Sequence, residues 1–167
     1  MCRASRNAEL QLGHLARRFF SFATALPLSI EESDDARSLL GDEELSDLFF
    51  AQPAADQRHG YDAGSWLAAR DMPMWMVQAG MLHDIGKRHA RMGRWGRATT
   101  TALGWVGVVP RGRMSIYTAH GPIGAKELGA SGADARIVAY TAHHHDGRPP
   151  ELTDAEWNQL DEADRRN

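Results

Sequence analysis

The stretch Met81-Leu82-His83-Asp84-Ile85-Gly86-Lys87 governs the interpretation of this chain. It ends an apolar segment that begins near Pro73, a residue suited to the first turn of a helix, and Gly86 is typical of a helix end. Adjacent side chains on a helix point about 100° apart, so a neighbouring histidine and aspartate serve one ion only where the helix ends. Imidazole and carboxylate groups suit Fe, Mn, Zn, Ni and Co. The heptapeptide therefore predicts a metal site, and taken alone it also fits an aspartate cap beside a surface histidine.

The rest of the chain predicts helices almost throughout. Apolar residues recur at helical spacing over residues 7–24. Further helices are expected over 33–40, 42–50, 56–70, 73–84, 120–128, 133–144 and 153–165, with Asp56 capping the third of them. Residues 99–110 fit a strand, a helix or a hairpin, and strand patterns are otherwise too few for a sheet. We predict an all-α fold, a compact helical bundle with a metal site between helices.

Length and composition exclude several classes of protein. The chain has 167 residues, the size of one domain, and its 43% hydrophobic and 25% charged shares exclude wholesale disorder. The single cysteine, Cys2, excludes an intramolecular disulfide and a thiolate zinc site, and it favours a cytoplasmic location. The net charge of −3 argues against nucleic acid as the main partner. No run of about 18 apolar residues predicts a membrane span.

Charge is distributed unevenly along the chain. Residues 31–47 hold eight acidic residues and one arginine, whereas residues 85–126 hold no acid. Arginine supplies 17 of the 19 basic residues, and its guanidinium suits bidentate contacts to oxyanions. The simplest interpretation is that the acidic and the basic stretch form two solvent-exposed faces whose charges partly neutralise one another. The functional interpretation is a basic rim that binds an anionic small molecule through Lys87, Arg88 and Arg91.

Six of the eight histidines lie in motif-like surroundings. His59 stands 24 residues before His83. The segments that follow the His83-Asp84 pair are His120-Gly121-Pro122-Ile123-Gly124, His143-His144-His145 and Ala163-Asp164. In this order they resemble the HD-domain superfamily of metal-dependent phosphohydrolases, with a distant similarity to its HD-GYP branch. The resemblance covers residues 51–167, and residues 1–50 are expected to form an N-terminal helical extension packed on that domain.

The resemblance implies two divalent transition-metal ions, chosen from Fe, Mn, Co, Ni and Zn. The first ion would be held by His59, His83, Asp84 and Asp164. The second would be held by Asp84, His120, His143 and His144. Three consecutive histidines cannot all point the same way, so His145 is the reserve for its two neighbours. Asp161, one turn before Asp164, is the substitute for that last ligand.

The resemblance further implies hydrolysis of a phosphate ester, either a nucleotide or a small phosphorylated metabolite. Asp84 would bridge the ions, a shared hydroxide would be the nucleophile, and Lys87 would balance the phosphate charge. Residues 143–150 lack the Glu and the Gly-Tyr-Pro of the cyclic-di-GMP phosphodiesterases, which puts that substrate in doubt. Two alternatives stay open at this point, an HD-type di-iron oxygenase and a non-catalytic nucleotide-binding module. The sequence indicates no oligomeric state.

Overall fold

The computed structural model describes residues 26–93, 96, 100 and 109–166, and all the regular structure in these ranges is helical. This confirms the predicted all-α class. The α-helices are α1 (Ile30–Leu40), α2 (Glu43–Phe50), α3 (Ala54–Ala68), α4 (Met74–Leu82), α5 (Arg113–Thr118), α6 (His120–Ala130), α7 (Ala135–His143) and α8 (Asp154–Arg165). A 3-10 helix, Ile85–Ala90, follows α4. The helix expected over 7–24 lies outside the described residues, as does most of the segment 99–110.

Several helix boundaries follow from local capping. The Asp42 side chain accepts a hydrogen bond from the Leu45 amide at 2.9 Å and begins α2. Thr153 begins α8 through a reciprocal capping box with Glu156. The prediction that Asp56 caps a helix is wrong. Helix α3 starts after Pro53, whose restricted φ suits that position, and this leaves Asp56 buried in the first turn.

Helix α4 is the centre of the bundle. Seven of its nine residues are buried, so the helix is apolar on all sides, as expected of a helix enclosed by others. Helices α3, α7 and α8 pack around it, and α1 and α2 contribute Leu40 and Phe49 to the same core cluster. The C-terminal end of α4 therefore places His83 and Asp84 deep inside the protein.

Two glycines allow backbones to approach closely beside this end of α4. A Cβ atom on Gly60 of α3 would lie 2.5 Å from the Met81 carbonyl oxygen, and one on Gly86 would lie 2.0 Å from the His120 carbonyl oxygen. Gly86 does not end α4 with a left-handed residue, because that helix ends at Leu82 and Gly86 lies inside the 3-10 helix without a positive φ. Its role is the contact with α6.

Among the described residues, no helix is both long and apolar enough to span a bilayer.

Candidate metal centre

The side chains of the predicted ligands converge from five helical elements. Helix α3 supplies His59, the end of α4 supplies the His83-Asp84 pair, and α6 begins with His120. The end of α7 supplies His144 and His145, and α8 supplies Asp164. Tertiary packing thus joins side chains up to 105 positions apart in the chain.

Asp84 lies in the middle of this cluster, with its side chain 3% exposed. Its Oδ2 atom lies 3.5 Å from His83 Nε2 and 3.8 Å from His59 Nε2. Its Oδ1 atom lies 3.1 Å from His120 Nε2 and 3.6 Å from His144 Nε2. Each carboxylate oxygen therefore faces a different set of histidines, which is the arrangement of a bridging ligand.

Asp164 completes the first set. Its Oδ1 atom lies 2.9 Å from His59 Nε2 and 3.4 Å from His83 Nε2. The substitute candidate Asp161 instead pairs with Arg165 one turn later, at 2.9 Å, on a more exposed part of α8. Of the two carboxylates considered from the sequence, the structure brings Asp164 to the cluster.

The second set contains three histidines. His120 Nε2 lies 3.2 Å from His144 Nε2 and 3.2 Å from His145 Nε2. Ligand atoms about 2.0–2.1 Å from a tetrahedral ion are about 3.3 Å from one another. The ligand atoms of Asp84 and these three histidines all lie within 4.8 Å of one another, as do those of His59, His83 and Asp84. Both groups can therefore hold a metal ion.

The structure does not bring His143 into the cluster, which corrects the predicted ligand set. The buried stripe of α7 runs through Ile137, Tyr140 and Thr141, and the next position on that stripe is His144. His143 is the last helical residue and its side chain is exposed. His145 follows in the turn after the helix, which directs its ring back to His120.

Three of the candidate ligand histidines are oriented by the same local hydrogen bond. The Nδ1–H groups of His83, His120 and His144 donate to backbone carbonyl oxygens three residues earlier, at 2.9, 2.6 and 2.9 Å. A carbonyl can only accept, so each Nδ1 carries a proton, which leaves Nε2 as the nitrogen that faces the centre. This is the arrangement that coordination of a metal through Nε2 requires.

Two buried atoms at the centre show that hydrogen bonding alone does not satisfy the cluster. His83 Nε2 and Asp84 Oδ1 are buried and accept no hydrogen bond within the part of the chain that the structure describes. Native proteins rarely leave buried polar atoms in this state. A metal ion placed between these imidazole nitrogens and carboxylate oxygens would satisfy them, and both groups are common ligands of divalent transition metals.

The electrostatics keep these groups in ligand-competent forms. Burial raises the pKa of the Asp84 carboxyl, yet with the Lys87 ammonium beside it that pKa lies well below its usual range. Burial lowers the pKa of His120. His145 is exposed as a residue, but desolvation where its ring packs against the cluster, together with the neighbouring His144, lowers its pKa to about 3. The carboxylate is therefore charged and these two imidazoles are neutral at pH 7, as metal binding requires.

Of the three basic residues predicted to bind substrate, the structure brings Lys87 to the centre. Its ammonium forms an ion pair with Asp84 Oδ2. Arg88 instead donates to Glu127 Oε1 at 2.9 Å, and Glu127 lies two turns, about 10 Å, beyond His120 on α6. Arg91 is exposed and ends the 3-10 helix.

Sequence reasoning missed Tyr140, which lies between the two ligand groups. Its ring centroid is 6.1 Å from that of His83 and 6.0 Å from that of His144, and its other side packs on Trp157 at 5.7 Å. The residue is 1% exposed. The signal was available in the sequence, because Tyr140 precedes His144 by one helical turn and so shares its face.

The corrected ligand set gives a matched pair of variants. His145→Ala should weaken metal binding by at least about tenfold, because it removes a nitrogen 3.2 Å from His120 Nε2. His143→Ala should leave metal binding unchanged, because its nitrogen atoms belong to neither of the two candidate ligand groups. Chelator competition with Co²⁺ or Zn²⁺ measures both affinities. Loss of metal from the His143 variant alone would contradict the assignment.

Comparison with known proteins places this chain in no family. No protein-family model matches it, and neither a curated protein nor a solved structure does. Its function is therefore inferred from the residues of the cluster and from the order of its motifs.

Proposed function

We propose that this protein is a metal-dependent phosphohydrolase of the HD-domain type, with two divalent transition-metal ions on its buried histidines and aspartates. The observation that carries the proposal is the position of Asp84, which presents one oxygen to each of two ligand groups. Pairs of ions about 3.5–4 Å apart that share ligands serve the in-line hydrolysis of phosphate esters.

The two ions would supply an activated water near neutral pH and charge neutralisation for the phosphoryl oxygens. The residues of the chain fix where the two ions would lie. Asp84, His83 and His144 lie on the closed side of the site, with side chains 3%, 1% and 1% exposed. Water is therefore restricted around these ligands, and this strengthens their electrostatic interactions with bound charges.

The open side of the site is marked by more accessible residues. The side chains of His59, Asp164 and Lys87 are 17%, 15% and 17% exposed, and His145 is exposed. An anionic substrate enters from this side and meets the Lys87 ammonium next to Asp84. A lysine ammonium is a point charge, suited to a phosphate oxygen that the metal ions leave unneutralised. The substrate class is accordingly a nucleotide or a small phosphorylated metabolite.

Metal identity and the need for oxygen distinguish hydrolysis from the di-iron oxygenase alternative, because both chemistries use histidines and a shared carboxylate.

Elemental analysis and an oxygen-free assay test this function. The purified protein, reloaded with Mn²⁺, Co²⁺ or Fe²⁺, should hold about two ions per chain and hydrolyse p-nitrophenyl phosphate or its bis ester anaerobically. The proposal fails if the reloaded protein holds no metal, or if it holds metal and cleaves a substrate only with oxygen. Metal with nucleotide binding but no turnover would instead support the non-catalytic module.

The two lysines of the chain provide a matched pair for the role of Lys87. Lys87→Ala should lower kcat by about 10²-fold, because it removes a positive charge from the transition state, and should leave two ions bound. Lys126 is exposed on α6, so Lys126→Ala should keep wild-type kinetics. Loss of metal from the Lys87 variant would show a structural role, and unchanged kcat would exclude a catalytic one.

A further inference from the structure

The ring of Tyr140 packs against one histidine from each candidate ligand group. Its centroid lies 6.1 Å from that of His83, which belongs to one group, and 6.0 Å from that of His144, which belongs to the other. The rings of His83 and His144 also contact each other, edge to face, with centroids 5.1 Å apart. These separations are typical of packed aromatic pairs. The three rings therefore form a triangle in which Tyr140 supports both histidines at once.

Three helices enclose the Tyr140 ring. The residue is 1% exposed, it lies one turn before His144 on α7, and its ring meets His83 across the contact between α7 and α4. On the other side the ring packs edge to face on Trp157 of α8, with centroids 5.7 Å apart. A tyrosine side chain has only two rotatable bonds, so a ring enclosed in this way is a rigid spacer.

The hydrogen bonds of the two histidines leave their separation undetermined. His83 and His144 each donate from Nδ1 to a carbonyl oxygen of the same turn, at 2.9 Å, so each ring is tied to its own segment and not to the other. Their separation then depends on how α4 and α7 pack at this level, where the Tyr140 ring lies against both histidines. Because protein interiors are close-packed, a rigid ring at this position fixes the spacing more sharply than a flexible side chain would.

We propose that Tyr140 is a positioning residue, whose ring fixes the separation of the two ligand groups through its contacts with His83 and His144. This inference rests on the proposed function, because it needs an ion in each group. With the ring in place, both groups meet at the Asp84 carboxylate. Without it, His83 and His144 shift relative to each other, and one carboxylate no longer serves both groups equally well.

The competing interpretation is that Tyr140 only fills the core. Tyr140→Met separates the two, because methionine fills irregular core space without a rigid ring. Tyr140→Phe keeps the ring and removes the hydroxyl alone. Trp75→Met is the matched control at the same helix contact. Trp75 is 7% exposed, Arg136 of α7 lies over its ring at 4.3 Å, and it precedes His83 by about 12 Å along α4.

The probe is Mn²⁺, titrated into each protein and followed by electron paramagnetic resonance, with metal content and circular dichroism measured on the same samples. Two Mn²⁺ ions that share a carboxylate are magnetically coupled, so wild type should give the signal of a coupled pair. Tyr140→Met should bind the weaker of the two ions about tenfold less tightly and should give the signal of uncoupled ions at saturation. Tyr140→Phe should keep the coupled signal. Trp75→Met should keep it as well, although its Tm should fall as that of Tyr140→Met does.

Trp157→Leu is a second variant that tests the same support from outside the core. Trp157 is half-buried, so its loss is less disruptive to the fold, and it frees the far side of the Tyr140 ring. We expect weaker binding of the same ion and a weaker magnetic coupling than in wild type. Where Tyr140→Met does not fold, this variant carries the test.

Two kinds of result would overturn the role of Tyr140 alone. One is an unchanged coupled signal in a folded Tyr140→Met variant or, where that variant does not fold, in Trp157→Leu. The other is loss of the coupled signal in Tyr140→Phe or in Trp75→Met, since the signal would then not depend on the ring. Wild-type protein that holds fewer than two ions would overturn the two-ion function, and the role of Tyr140 with it. The wild-type titration therefore distinguishes the two failures.

Discussion

Replacing Asp84 with alanine should remove both metal ions and abolish hydrolysis of phosphate esters. Both oxygens of this carboxylate are used, because Oδ2 faces His59 and His83 while Oδ1 faces His120 and His144. A single change therefore takes a negative ligand from each group at once. Metal content should fall from about two ions per chain to near zero, as expected for loss of a bridging carboxylate. Elemental analysis after gel filtration measures it.

The effect on metal must be separated from an effect on folding. Asp84→Asn keeps the side-chain shape and removes the charge, and circular dichroism of both variants reports helix content. Asp161→Ala is the control, since this carboxylate is paired with Arg165 outside the cluster. Unchanged metal content in a folded Asp84 variant would contradict the bridging model. Retention of one ion would show that one ligand group binds metal without Asp84, and it would remove the argument for a shared carboxylate.

The sequence predicted those parts of the site that depend on local patterns. His83 and Asp84 lie at the end of α4 as expected, and Asp42 and Thr153 begin their helices because capping depends on residues within one turn. The order of the histidine segments was sufficient to nominate His59 and His120. These features need only neighbouring residues or motif order, both of which a single sequence displays.

The features that the sequence did not predict depend on tertiary contacts or on how a helix ends. The choice among the three consecutive histidines requires the phase of α7 at its last residue and the path of the following turn, so His145 could not be preferred over His143. The run of basic residues predicts that Arg88 binds an anionic substrate as part of a basic rim. Its actual partner, Glu127, is 39 residues away.

The second large effect is expected at Gly86, which contacts the backbone of α6. A Cβ atom at this position would lie 2.0 Å from the His120 carbonyl oxygen, 2.8 Å from the Gly124 amide nitrogen and 2.9 Å from the His120 carbonyl carbon. All three are backbone atoms, so no side-chain rotation relieves the overlap. Gly86→Ala must therefore move the start of α6 away from the 3-10 helix. Overpacking of this kind costs about 3 kcal/mol, which corresponds to a fall of roughly 6–12 °C in Tm for a chain of this size.

The displaced element begins with His120, so the same substitution should also affect metal binding. The Gly86→Ala variant should lose more of the ion proposed for His120, His144 and His145 than of the ion proposed for His59, His83 and Asp164, because the three atoms nearest to the introduced Cβ all belong to α6. The control is Gly129→Ala in the same helix α6. A Cβ there meets no atom within 4 Å, so the change should stabilise the helix by about 0.5–1 kcal/mol. Thermal unfolding with elemental analysis measures both effects. Wild-type stability in the Gly86 variant would contradict the close contact, and equal loss of both ions would show that the two groups do not respond separately to the position of α6.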